Sequence, residues 1–443
     1  MDPVVAKLQA LVREPTVSYV DRSRIDTAAF DRLLSEMETH WPLLHEHLDI
    51  TRVGGHGLLC HWRGASAERP LVLMAHLDVV PVDPDAPWQH EPFSAEIADS
   101  PEGLAIWGRG TLDDKGCVAA VCEAVERLLE AGHTPAQDVW LSFGCDEEVM
   151  GTAAQEAVEV LRERGVQPWF VIDEGGAIAG GAFPGVDPPL GVVGVTEKGS
   201  TAIELVAEGR GGHASTPAKN GPTIRIARAL LRIERHPFPA SVPAPTVEML
   251  RRLAPHTRGP LGKLFANADR LGPVISRALV AVGPEAAAMA RTTVAATTLS
   301  GSPANNVIAS TARAGLNVRV MVDDTVAGVV EHLRRAMKDE SIAINVVDHG
   351  EPSPISPMDE AFELIESCIG EVFPEAVATP YVMMAATDSR HFTKICDRVY
   401  RFAPFRMSKA QREAIHSYDE RIGVDDLVDG VRWYQRLIER LPA

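Results

Sequence analysis

Short apolar runs that stop on acidic residues or histidine recur along the first half of this chain, and they restrict what it can fold into. Leu71-Val72-Leu73-Met74-Ala75 runs into His76-Leu77-Asp78, Val139-Trp140-Leu141-Ser142-Phe143 leads to Asp146-Glu147-Glu148, and Trp169-Phe170-Val171-Ile172 ends at Asp173-Glu174-Gly175-Gly176. A fourth cluster, Asp113-Asp114-Lys115-Gly116, precedes a stretch of helical apolar spacing from Val118 to Leu129, and a fifth, His416-Ser417-Tyr418-Asp419-Glu420, lies far downstream. Runs of this kind read as buried strands. Charge at their inner ends is costly unless it is paired or bound to metal. A fold that brings the clusters together around two divalent cations satisfies them all.

Strands alternating with helices predict an α/β sheet, and ligands of such sheets gather in the crevice at the strand carboxyl ends. The middle of the chain has a different rhythm. Ser200 to Glu208 alternates as a half-exposed strand, Gly221 to Leu231 is helical with Pro222 suited to its first turn, and Thr292–Leu299 and Ala312–Val320 read as an antiparallel pair around a 301–306 loop. Val326–Met337 is helical and Ile342–Val347 is a strand. The order βαββαβ describes a compact, ferredoxin-like α+β module. An Ala-, Pro- and Arg-rich stretch at about 237–289 reads as a helical insert within it. A helix at Ala361–Val372, an apolar segment at Tyr381–Ala386 and a last helix at Asp425–Leu441 follow. His416 must return to the first cluster set, so the expected domains are 1–196 with 352–443, and an inserted 197–351.

A chain of 443 residues exceeds one compact core, which also favours two domains. The formal net charge of −18 argues against nucleic acid or an anionic membrane as partner. Six cysteines without tight spacing make no disulfide framework and suggest a reducing compartment. The N-terminus lacks a basic region followed by an apolar stretch, and no apolar run approaches the ~20 residues needed to span a bilayer. The expectation is a cytoplasmic protein.

Residues i and i+2 of a strand share a face, so His76 can bind metal while Asp78 supports its other nitrogen. Asp113 follows the turn Gly108-Arg109-Gly110. A carboxylate there can bridge cations ~3.5–4 Å apart, one oxygen to each. Asp114 either joins it as a ligand or caps the helix that follows. Consecutive carboxylates at 146–148 repel one another without a cation. Glu147 and Glu148 diverge, so one can bind metal while the other acts as a base.

In sequence order, Met74-Ala75-His76-Leu77-Asp78-Val79-Val80-Pro81, Trp107-Gly108-Arg109-Gly110-Thr111-Leu112-Asp113-Asp114-Lys115-Gly116, Gly144-Cys145-Asp146-Glu147-Glu148-Val149 and Val171-Ile172-Asp173-Glu174-Gly175-Gly176 are similar to a known family. Gly211-Gly212-His213-Ala214-Ser215, Asn306-Val307-Ile308, Thr387-Asp388-Ser389-Arg390 and His416-Ser417-Tyr418-Asp419-Glu420-Arg421 continue the match over nearly the whole chain. The chain resembles the zinc-dependent metallopeptidases that include aminoacylase, carboxypeptidase S, glutamate carboxypeptidase, acetylornithine deacetylase and succinyl-diaminopimelate desuccinylase. It looks closest to the aminoacylase and carboxypeptidase S branch, which includes enzymes acting on N-fatty-acyl amino acids. The resemblance implies a catalytic domain with helices on both faces of a mixed sheet, and an inserted lid and dimerisation domain. It implies two Zn(2+) per subunit, with Co(2+) or Mn(2+) as substitutes: His76 on one, Glu148 and His416 on the other, and Asp113 between them. Glu174 supplies the remaining ligand, with Asp173 beside it as the alternative that some relatives use. Glu147 becomes the general base, Asp78 counts with it among the catalytic residues as the support of His76, and His213 reaches the substrate carbonyl, often across a dimer interface. Asn306, Arg319, Thr387 and Arg390 become the substrate-binding residues, with Arg319 equally readable as a solvated strand residue.

The activity implied is hydrolysis of a linear amide beside a free carboxylate, on an N-acyl amino acid or short peptide. The Ala385-Ala386 pair before Thr387 follows the aminoacylase pattern, where the fatty-acyl branch tends to have glycines, and the 237–289 insert has no counterpart in shorter members. A two-metal esterase or phosphatase would want basic residues beside the clusters, and a non-catalytic metal-binding scaffold would want the base lost.

Overall fold

The computed structural model describes residues 1–183 and 185–443. A ten-stranded mixed sheet forms the larger layer. Strand Ser66–His76 sits at its centre, parallel to Gln137–Gly144 on one side and to Phe170–Asp173 on the other. The alternation along these strands explains the helices on both faces. Leu71, Leu73, Leu141 and Phe143 point to a core shared with helices Pro3–Arg13, Lys115–Glu130 and Val424–Glu439. Val72, Met74 and Trp140 point the other way, onto helix Ala153–Glu163 through Ala157, Val158 and Leu161. Strands this apolar on both faces belong inside a covered sheet.

The smaller sheet is antiparallel, in the order Thr293–Ser300, Thr311–Val320, Gly199–Glu208, Ile342–Asp348. Helices Pro222–Arg235 and Val326–Met337 cover one face, packing Ile226, Ala229, Val329 and Leu333 against Leu205, Ala207, Leu316 and Val318. This is the expected βαββαβ order, with Pro222 at the start of its helix. The loop between its second and third strands adds a short strand, Val307–Ile308, that pairs with Gly212–His213.

The helical insert turns away from the small sheet. Met249, Leu250, Leu253, Phe265 and Ile275 form a core with Val186 and Leu190, flanked by Val192 and Val377. Its helix Ala244–Leu253 therefore lies against strands Leu190–Glu197 and Val377–Met383 of the large sheet. The apolar segment expected near Tyr381 is the second of these strands. No helix among the described residues is long and apolar enough to cross a membrane.

Two crossings join the sheets. The chain leaves at Glu197 and returns at Ser353, whose N–H donates to Glu197 O (3.1 Å) while Glu197 N–H donates to Ser353 Oγ (2.9 Å). Gly199 lies so close to the returning segment that a Cβ there would meet Gly350 O at 2.3 Å.

A three-stranded sheet brings the chain's far end to the site. Arg421–Gly423 pairs antiparallel with Gly103–Trp107, setting 416–420 beside 108–113. Glu420 locks this join. Its Oε1 accepts from the N–H groups of Leu112 (2.9 Å) and Asp113 (3.1 Å), and its Oε2 pairs with Arg109 at 2.6 Å, both side chains being buried. Replacing Glu420 with alanine strands a buried guanidinium, and breaking such a pair costs about 3–5 kcal/mol. The Glu420→Ala protein is expected to unfold at a lower urea midpoint with an unchanged slope; a midpoint equal to the parent's would remove this role.

Candidate metal centre

His76, Gly144 and Asp173 end three neighbouring parallel strands, so the residues at and just beyond those ends share one rim of the sheet. Asp113 reaches that rim from the turn before helix Lys115–Glu130. Its Oδ1 lies 2.9 Å from His76 Nε2 and its Oδ2 lies 3.0 Å from His416 Nε2. The same His416 nitrogen is 3.0 Å from Glu148 Oε2. Ligand atoms of His76, Asp113 and Glu148 all fall within 4.8 Å of one another. One carboxylate with an oxygen toward each of two imidazoles has the disposition of a bridge.

The surroundings fix these groups. His76 Nδ1 donates to the main-chain carbonyl of Asp78 at 3.0 Å, which leaves the Nε2 lone pair free to ligate. The Asp78 carboxylate was expected in that place; it stands 3.5 Å from Nδ1 and is engaged elsewhere. It accepts from the N–H groups of Glu147 and Glu148 (3.2 Å each) and from Ser18 Oγ (2.7 Å). Asp78 thus holds the paired glutamates as well as the histidine. Asp114 occupies the N-cap position but makes no capping bond; its Oδ2 accepts from His76 N–H at 3.2 Å, and the cap reading gives way. Both oxygens of Asp173 are occupied, by the N–H groups of Glu174 (3.0 Å) and Ser389 (2.9 Å).

Electrostatics show how much positive charge the site wants. Burial pushes the Glu147, Glu148 and Glu174 carboxyls above the usual range, and repulsion adds to it: Asp388, Glu148 and Asp113 act on Glu147, and Asp113, Asp114, Asp173 and Glu147 on Glu174. Burial also disfavours the Asp113 anion, yet His416 and His76 hold it well below the ordinary value. Asp113 and Glu148 raise the His416 imidazole to about 10. At His76 burial opposes protonation, but Asp113 and Asp78 outweigh it and push the ring up. Glu148 Oε1 is buried without a hydrogen-bond partner among the described residues. Clustered acids, two imidazoles and an unsatisfied carboxylate oxygen fit a cation site. His416 itself has φ +61°, a conformation uncommon outside glycine that recurs at functional sites.

The remaining expected residues lie around this rim or on the small sheet. Thr387 is fully buried, its N–H and Oγ1 directed at Glu197 Oε2. Arg390 is half-buried and donates to Thr387 O at 2.8 Å. Arg319 is half-buried in strand Thr311–Val320, opposite Ser200 and Thr293. His213 and Asn306 meet on the two-stranded ribbon, where Ala214 N–H donates to Asn306 O; both are exposed, and His213 Nδ1 lies 2.6 Å from Ser215 Oγ. The structure adds groups that sequence reasoning missed. Ser18 and the Arg109–Glu420 pair carry no local signal, although Glu420 stands in the His416 cluster. Asp388 sits in the Thr387–Arg390 motif, and burial raises its carboxyl to about 7, with Asp173 and Asp78 adding to the shift.

The profile of peptidase family M20/M25/M40 matches residues 72–440. The N-fatty-acyl-amino acid synthase/hydrolase PM20D1 of Xenopus tropicalis is 33% identical over 447 residues, covering 98% of this chain and 85% of its own. Probable carboxypeptidase S-like 2 of Dictyostelium discoideum is 32% identical, covering 96% and 82%. Among solved structures, the M20 family metallo-carboxypeptidase Sso-CP2 of Sulfolobus solfataricus superposes with a TM-score of 0.70 at 18% identity, covering 99% of both chains.

Burial and neighbouring acids raise the Glu148 and Glu174 carboxyls, and facing carboxylates raise the His76 and His416 imidazoles, so a cation taken up at these groups competes with protons. Adding zinc to chelator-stripped protein in weak buffer at neutral pH is expected to acidify the solution, and affinity to weaken as pH falls. A group with a raised folded pKa stabilises the fold below its ordinary value and ceases to do so as pH rises through the folded one. The stripped protein should accordingly lose thermal stability between pH 6.5 and about 10 as His416 deprotonates. A dye-monitored titration without proton release would contradict this electrostatic account.

Proposed function

The chain belongs to peptidase family M20/M25/M40, and from that membership we propose that it is a dizinc hydrolase that cleaves a linear amide beside a free carboxylate. Family relation makes it a metal-dependent hydrolase of amide or peptide bonds. The finer reading rests on Asp113, set between His76 and His416, with Glu148 beside the same His416 nitrogen. His76 and Glu174 would hold one cation and Glu148 and His416 the other, with Asp113 available to both. Each Asp173 oxygen already accepts one main-chain N–H, and the burial of the Glu174 carboxyl among Asp113, Asp114 and Glu147 favours Glu174 as the ligand. Cobalt or manganese can stand in for zinc at such N/O sites. When bound, the metals polarise the scissile carbonyl and lower the pKa of water to about 7.

The protein's own groups do the rest. Glu147 takes a proton from the attacking water and delivers it to the departing nitrogen. Asp78 holds its main chain in place for that transfer. Arg390 and Arg319 read the substrate carboxylate with their planar forks, and Asn306 adds an amide. Thr387 supports Arg390 from beneath. His213 is exposed on the ribbon, so a second copy of the chain, docked through the small sheet, is the means by which it meets a substrate carbonyl. Substrates are N-acyl amino acids or short peptides: the Xenopus relative is named for N-fatty-acyl amino acids and the Dictyostelium relative for carboxypeptidase S. Six buried, unpaired cysteines support a reducing, cytoplasmic setting.

A panel of acetyl-, long-acyl- and aminoacyl-amino acids, scored for released amine, tests the reading. Activity is expected to vanish reversibly on chelation. Glu147→Ala should retain metal and fold while kcat falls by about 10²–10⁴. Hydrolysis that survives thorough chelation, or a fully active Glu147→Ala protein, would overturn it.

A further inference from the structure

Glu197 and Arg401 form an ion pair in the large sheet, 2% and 0% exposed, with Glu197 Oε2 3.6 Å from Arg401 Nε. Neither is a candidate ligand, base or substrate reader. Glu197 Oε1 and Arg401 Nε and Nη2 have no hydrogen-bond partner among the described residues, so the pair is not optimised for its own sake. Its contacts all lead toward the centre. Glu197 Oε2 accepts from Thr387 N–H (2.9 Å) and Thr387 Oγ1 (3.3 Å), Thr387 Oγ1 lies 2.6 Å from Ser389 Oγ, and Ser389 N–H donates to Asp173 Oδ2 (2.9 Å). Arg401 pairs in register with Asp173 and donates Nη1 to Val399 O at 2.8 Å. On its other side, the main chain of Glu197 is bonded to Ser353 where the chain crosses to and from the small sheet.

We infer that Glu197, neutralised by Arg401, is a positioning residue: it anchors the Thr387–Arg390 segment against the metal centre and ties that segment to the crossing between the two sheets. The inference rests on the proposed amide hydrolysis, in which Arg390 reads the substrate carboxylate. A buried carboxylate is suited to this because one oxygen can receive both a main-chain N–H and a hydroxyl. Burial raises the Glu197 carboxyl, and the arginine opposes that shift without entering the site.

Two double variants separate positioning from plain stability. E197Q/R401M removes both charges but keeps a carbonyl oxygen for Thr387; E197L/R401M removes both charges and the acceptor. Both avoid an unpaired buried charge. With a substrate that the parent hydrolyses, E197Q/R401M is expected to keep KM near the parent's. E197L/R401M should raise KM by about tenfold or more with a smaller change in kcat, because the carboxylate reader is displaced from the substrate and not from the reacting centre. A folded E197L/R401M protein with parental KM overturns the inference, as does an equal KM rise in both variants. If E197L/R401M fails to fold, E197A/R401M removes the same acceptor and both charges with a smaller side chain, and an unchanged KM there is equally fatal. If the parent hydrolyses nothing on the panel, the hydrolase reading fails by itself. Amide hydrogen exchange then decides: protection of 387–390 must be lost in E197L/R401M, or in E197A/R401M should the leucine variant not fold, and kept in E197Q/R401M.

Discussion

Asp113 is the group on which the rest of the arrangement turns. Its carboxylate is buried, which by itself would favour protonation, and it stays anionic because an imidazole lies against each of its oxygens. Those imidazoles come from opposite ends of the chain. The central strand delivers His76, and the small three-stranded sheet delivers His416. Around this ion triplet stand Glu147, Glu148 and Glu174, each pushed toward protonation by burial and by its neighbours. The fold gathers more acids than facing bases, an imbalance of the kind a cation offsets.

The strand-end clusters were legible because two signals coincided. An apolar run of strand length fixes where a segment is buried, and an acid at its end is improbable there without compensation. Leu71–Ala75 and Trp169–Ile172 made His76 and Asp173 stand out in this way. The partners of those residues were not legible. The expected support of His76 by the Asp78 side chain comes from the Asp78 carbonyl, and the expected cap at Asp114 is a bond to His76 N–H. Both depend on the angle at which a chain leaves its strand, and residue order does not encode that angle locally.

Strand Val399–Arg401 shows the same limit. Its three residues are buried between Phe170–Asp173 and Leu190–Glu197, yet an arginine ends it and no alternation marks it. Arg401 is tolerated there because Glu197, on the neighbouring strand, carries the opposite charge. A pair of compensating residues two hundred positions apart looks, in a single sequence, like two ordinary surface charges. The helical insert was visible as helical but not as to its seat. Its apolar stripe matches Val186, Leu190 and Val377, which lie on the large sheet and outside the module that contains it.

His416 arrives late. It and its brace, Glu420, stand within the last thirty or so residues of a 443-residue chain, whereas Asp113 and Glu148, the acids that its imidazole faces, lie before residue 150. A ribosome therefore exposes the acids at the strand ends long before the facing histidine emerges. Until then the central strands carry uncompensated charge at one end, and docking of the N-terminal layers must wait or proceed on protonated carboxyls. The last helix and the strand before it act as a closing clasp, so a truncation that removes His416 would unmake a centre whose other members lie hundreds of residues upstream.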